Sequence, residues 1–235
     1  MSGKHIDIEH WSRIASEWTA WARAPNHDEF WAYRGSLIAF IGQGAGDALD
    51  VGCGEGRVSR VLKECGYRVT AIDPVEKLVW AAEQAGSADA YRIAAAADLP
   101  FENCSFDLVV AYNVLMDVED VPAALKEIRR VLRPSGTLVI SIVHPFADRG
   151  RFTGPEANAP FVIQESYFGR EWFEGTECVM GKKCISLAGH SPWKAIWPRW
   201  KMWGWRSRRC GSPSPTWLIK APIWNAGRRF LFSSG

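Results

Sequence analysis

Residues 48–56, Ala-Leu-Asp-Val-Gly-Cys-Gly-Glu-Gly, constrain the fold more than any other stretch of this chain. A short apolar run carries Asp50 and gives way to glycines at alternate positions, Gly52, Gly54 and Gly56. An apolar run of that length, closed by glycines, reads as a buried strand. The next residues, RVSRVLKECG, put apolar side chains at 58, 61, 62 and 65 and end on Gly66, which predicts a helix with a glycine stop. Strand, glycine turn and helix in direct succession let the backbone approach a ligand closely at a helix start. A nicotinamide or flavin site would want G-x-G-x-x-G. Counted from Gly52, its third glycine falls at position 57, and this chain has Arg57 there. The pattern is acidic-x-G-x-G-x-G instead.

The alternation continues downstream. Strands are predicted over 67–73, 90–96, 106–115 and 137–146, with helices over 75–86 and 121–136. Five strands alternating with helices predict an α/β fold, a Rossmann-like, doubly wound and mostly parallel sheet. Its ligand belongs at the carboxyl ends of the strands, near the switch point. Upstream, 6–24 and 27–41 predict two helices rich in aromatics, parted by Pro25-Asn26, with Asp28 able to cap the second. Asp73 ends the second strand and Pro74 follows it. A carboxylate there can take both hydroxyls of a ribose. It can equally serve the start of the following helix.

These motifs, in this order, resemble the class I S-adenosylmethionine-dependent methyltransferases, in the branch typed as methyltransferase 11. LDVGCGEG resembles the first motif of that family over Asp50, Gly52, Cys53, Gly54 and Gly56. The resemblance implies that this loop runs under the amino-acid end of S-adenosylmethionine and that Asp50 helps bind it. AADLPF resembles the segment that faces the adenine, which implies that role for Asp98 and Leu99; a surface turn is the alternative. SFDLVVAYNVLMDVED resembles the fourth motif and implies Tyr112, Asn113 and Val114 beside the cofactor. The N-terminal helices are then expected to form a lid. Arg34 is expected to reach the cofactor carboxylate or to be a surface arginine.

The cofactor of such a family supplies a reactive methyl, and alignment supplies much of the rest. A base is needed only where the acceptor must lose a proton. His144, at the end of the fifth strand, is the catalytic candidate, with a backbone-bonded turn residue as the alternative. Asp117 and Tyr167 are weaker candidates. No metal is expected. The six cysteines form no CxxC pair and read as reduced thiols of a cytoplasmic protein. The expected partner is a small-molecule methyl acceptor rather than a membrane or a nucleic acid. A non-catalytic protein that binds the same cofactor is the alternative. Oligomeric state is not legible.

Near Lys183 the composition breaks. Residues 1–183 carry 19 Lys and Arg against 26 Asp and Glu, whereas residues 184–235 carry nine Lys and Arg, no acid and seven of the 13 tryptophans. Three parts are therefore expected: a helical lid over 1–45, a cofactor-binding core over 46–183 and a basic, Trp-rich tail over 184–235. Tryptophan has one codon, TGG. Read one base out of register, each becomes a codon for Leu, Met or Val followed by one for Glu, Asp, Ala, Gly or Val. So decoded, the segment from Trp193 to Pro215 yields LESYLAALEDVGLAIEALREPVP, an amphipathic helix, a glycine stop and a strand. The tail thus reads as a frameshift product from about Cys184, poorly ordered, with the last strands of the sheet missing or replaced. A fifth strand left without neighbours would be a bare apolar edge. The rival reading is a basic, aromatic surface for nucleic acid or an anionic membrane.

Overall fold

The computed structural model describes residues 4–26, 28–143, 150–154, 156, 158–163, 173–179, 182–188 and 216–222. Two helices come first, α1 (Lys4–Arg23) and α2 (Glu29–Ile41). The alternating segment follows: β1 (Asp47–Val51), α3 (Arg57–Glu64), β2 (Arg68–Asp73), α4 (Glu76–Gln84), β3 (Ala90–Ile93), β4 (Phe106–Tyr112), α5 (Val121–Val131) and β5 (Leu132–Val143). Two short hairpins are made by β6 (Gly150–Phe152) with β7 (Phe161–Ile163) and by β8 (Phe173–Val179) with β9 (Lys182–Ala188). The last described strand is β10 (Thr216–Pro222).

The main sheet has the order β10-β5-β4-β1-β2-β3. All pairings from β3 to β5 are parallel, and β10 joins β5 antiparallel. The order reverses between β1 and β4, so the switch point lies at their carboxyl ends. Strand β1 shows why the sheet must be covered on both faces. Ala48 packs in one core cluster with α2 and α3 (Leu37, Ile41, Val58, Val61, Leu62), and Leu49 and Val51 pack in the other with α5 (Val121, Ala124, Ile128). A parallel sheet with helices on both faces reads as continuous apolar runs, and the central strand β4, with Leu108–Ala111 buried throughout, is such a run.

Caps set the helix starts. Asp28 accepts the N–H of Trp31 at the start of α2, and Asp120 accepts that of Ala123 at the start of α5, where Pro122 has no N–H to satisfy. Helix α5 ends earlier than its sequence predicts, at Val131 rather than 136. Leu132 is already extended and pairs with Phe106, and the register then shifts before Leu108 meets Thr137. Pro134 disfavours helical geometry at Arg133, which is consistent with the early end. Strand β4 likewise stops at Tyr112 because Asn113 turns left-handed, with φ of 51°.

The expected bare edge on β5 is corrected by β10. Thr216–Pro222 pairs with Val143–Thr137 over seven positions. Among the described residues no further strand continues the sheet beyond β10, and the rest of the tail, apart from 184–188 in β9, lies outside them. No helix among the described residues is long and apolar enough to cross a membrane.

Candidate functional site

The glycine loop is folded back under β2. The N–H groups of Gly52 and Cys53 both donate to the Ile72 carbonyl, at 2.9 and 2.8 Å. Gly52 has φ of 71°, and a Cβ there would lie 2.2 Å from a methyl of Val114. The loop and the β4 end therefore fit together only because position 52 has no side chain. Gly56, with φ of 91°, faces Ser87 in the same way, at 2.4 Å. At Gly54 the situation is open: the nearest atom to a built Cβ is Trp18 Nε1, 3.6 Å away. Helix α1 thus reaches over the loop.

Asp73 stands at the end of β2 and is buried. Its Oδ2 accepts the N–H of Gly54 at 3.0 Å, and its Oδ1 accepts that of Val75 at 2.9 Å. The helix cap proper is Val75, so Asp73 serves the α4 entry from outside it. One carboxylate therefore fixes both the glycine loop and the turn into α4. Each oxygen keeps acceptor capacity beyond its one backbone bond. Burial pushes the Asp73 carboxyl up to about 6, against the lowering effect of its two backbone bonds.

Asp50 lies deeper, 1% exposed. Its Oδ2 accepts the Ser59 hydroxyl of α3 at 2.6 Å. Burial raises it to about 7, the Ser59 bond lowers it, and the Asp73 charge raises it further. It sits behind the loop rather than on its open side. Cys53 is also buried, its thiol pushed well up by burial and by Asp73 and Asp50, and it is no nucleophile.

At the end of β4, Asn113 donates its backbone N–H to the Ser141 carbonyl at 2.9 Å, and its Oδ1 accepts the Ser141 hydroxyl at 2.8 Å. Tyr112 meets Phe30 of α2 edge to face, 5.9 Å between centroids. The glycine loop, Asp73 and the Tyr112–Val114 turn are thus brought to one end of the sheet, beneath α1 and α2.

Two expected residues lie elsewhere. Arg34 pairs with Glu64 at the far end of α3, so it is the surface arginine of the two readings. Leu99 is corrected as well: its side chain is 3% exposed and packs in the core. Its N–H donates to Glu127 Oε2 and its carbonyl accepts from Arg130, both on α5. Asp98 sits on an exposed turn closed by its own N–H to the Ala95 carbonyl. The alanines over 94–97, just after β3, bring no polar side chain to that end. His144 and Tyr167 lie outside the described residues. Asp117 follows the β4 turn, its N–H on the Val114 carbonyl.

The sequence reading missed the groups that tie the two N-terminal helices to the glycine loop. Glu55, inside the glycine loop and 1% exposed, accepts Arg60 at 2.7 Å and Arg23 of α1 at 2.9 Å. Arg23 also donates to the Ala81 carbonyl of α4. Arg57 pairs with Asp28 at 2.5 Å and lies over the rings of Phe30 (4.6 Å) and Trp18 (5.5 Å). The one available signal was Arg57 standing where another motif has glycine.

A family model described as a methyltransferase domain matches residues 49–140, the span from β1 into β5. The malonyl-[acyl-carrier protein] O-methyltransferase of Serratia marcescens is 37% identical over 93 residues, 40% of this chain and 36% of that one. The ubiquinone biosynthesis O-methyltransferase of Xanthomonas oryzae pv. oryzae is 34% identical over 133 residues, 54% of this chain and 52% of its own. The chain therefore spans between about a third and about half of the length of these curated relatives. An S-adenosylmethionine-dependent methyltransferase from Mesorhizobium loti shares the fold, with a TM-score of 0.58 at 22% identity over 81% of this chain and 97% of that one. Ordered glycine loop, sheet order and sequence similarity agree: residues 49–140 match the methyltransferase-domain model, and the fold is that of the S-adenosylmethionine-dependent methyltransferases.

Proposed function

We propose that this chain moves a methyl group from S-adenosylmethionine to an oxygen of a small-molecule acceptor. The observation that carries the reading is Asp73, buried at the end of β2 and bonded to Gly54 of a loop whose open side faces Trp18. The residues present fit the cofactor. Gly54 leaves room above the loop, and two buried carboxyls that form no ion pair among the described residues, Asp73 and Asp50, suit a ligand with positive charge. When bound, the cofactor supplies an electrophilic methyl on a sulfonium.

The chain's own part is placement. Asp73 holds the ribose hydroxyls with the acceptor capacity its backbone bonds leave free. Gly52, Cys53, Gly54 and Gly56 carry the amino-acid end, with Asp50 contributing negative potential from behind. Tyr112 and Asn113 wall the β4 side, with Asp98 and Pro74 at the margin of the base and ribose. The lid helices exclude water. An acceptor hydroxyl must give up a proton, and His144 one residue past β5 is the base in this proposal. The two curated relatives, both named as O-methyltransferases, support an oxygen acceptor.

Calorimetric titration of S-adenosylhomocysteine into the 235-residue chain tests the reading. Micromolar binding that falls at least about a hundredfold in Asp73→Ala is expected, the loss of a buried charge-assisted contact. A folded, soluble sample that binds nothing would sink the assignment. An acceptor screen with radiolabelled methyl then separates an enzyme from a protein that only binds the cofactor.

A further inference from the structure

We infer that Arg57 is a latch, a positioning residue that holds the two-helix lid down on the glycine loop and so sets how fast a ligand leaves. The inference rests on the proposed cofactor site and adds its regulation. Arg57 is the first residue of α3 and so sits directly after the loop. Its side chain is 15% exposed and that of its partner Asp28 only 8%. Asp28 has two tasks. One oxygen caps α2 through the Trp31 N–H, and the other accepts Arg57 at 2.5 Å. The guanidinium also lies against Trp18 from α1 and Phe30 from α2. One cation therefore touches the first lid helix, the second lid helix and the connection between them.

The second attachment, Arg23 on Glu55, differs in kind. Glu55 is already held by Arg60 of α3, so the lid's loss of Arg23 leaves that carboxylate paired. Opening at Arg57 instead separates a near-buried pair, and each charge must find water before the helices can lift. A planar guanidinium stacked on rings cannot be replaced by an ammonium at equal strength. The expected barrier to opening therefore resides chiefly at Arg57–Asp28.

Two variants test this without dismantling the sheet. Arg57→Lys keeps the charge and loses the fork and the stacking. Asp28→Asn keeps an acceptor for the Trp31 N–H and removes the ion pair. In stopped-flow release of S-adenosylhomocysteine, each is expected to speed dissociation about tenfold, and the double variant by much less than the product of the two, because both weaken the Arg57–Asp28 pair. Release at the parental rate, or effects that multiply, overturns the latch. A ligand-free readout keeps the inference apart from the cofactor assignment. Amide exchange over 14–23 and 30–41 is expected to quicken in Asp28→Asn while β1 and β4 keep their protection. If the parent binds no ligand, the cofactor reading fails and exchange alone decides the latch. Unchanged exchange over both lid helices rules it out.

Discussion

Residues 46–143 and residues 216–222 contribute strands to the same sheet by different means. In the first region side chains and backbone agree: β1 is apolar on both faces, Asp47 takes Arg68 and Arg133, and Asp89 accepts the Val69 N–H. The second region lies in a stretch that reads as out of frame, yet it forms a seven-position ladder with β5. An open strand edge offers a row of backbone donors and acceptors to whatever extended chain is near. TWLIKAP is apolar and β-prone enough to take it. Pairing an edge requires little of a sequence, whereas filling a core from both faces requires a great deal.

The largest expected effect breaks the first region. Val110 pairs with both Asp50 of β1 and Val139 of β5, and Val110→Pro should abolish folding, at more than about 3 kcal/mol from the lost ladder bonds and ring clash. Circular dichroism on the soluble fraction checks this. Leu49→Ala, fully buried in the core over α5, should lose about 2–5 kcal/mol in urea unfolding. Ile219→Ala in β10 should fall below about 1 kcal/mol by the same measurement, because an edge strand held by its backbone loses little with one side chain. A value matching Leu49→Ala would mean that the tail packs as specifically as the core. Restoring the alternative reading frame from Cys184 should raise the thermal midpoint, and no rise removes the frameshift proposal.

A separate expected effect is one of pH. Burial lifts the Asp50 and Asp73 carboxyls from a usual 3.8 to about 7 and about 6. The folded chain then holds protons that the unfolded chain has released. Their contribution to stability is full below pH 3.8 and is lost as pH rises through 6 and then 7. Unfolding in urea at pH 5.5 and 7.5 should show the free protein more stable at the lower value. A cationic ligand prefers the charged carboxylates, so its affinity should move the other way and tighten between those values. Parallel trends in stability and affinity would disconnect the acid pair from the ligand.

The sequence by itself determined the alternation of strands and helices, the glycine turn and the carboxylate ending β2. Those are local signals, carried by spacing and by residues whose backbone freedom or chemistry has few substitutes. Only the tertiary structure decided which groups meet across the chain. Arg57 finds Asp28 across 29 positions, Arg23 finds Glu55 across 32, and Arg130 draws the 99–101 carbonyls onto α5 across about 30. Leu99 packs into the core where its motif implied a ligand contact, and Glu64 claimed Arg34. Charged side chains are long and find partners by proximity in space, which no short spacing encodes. The edge of β5 was settled in the same way, by an unpaired backbone that accepted the strand within reach.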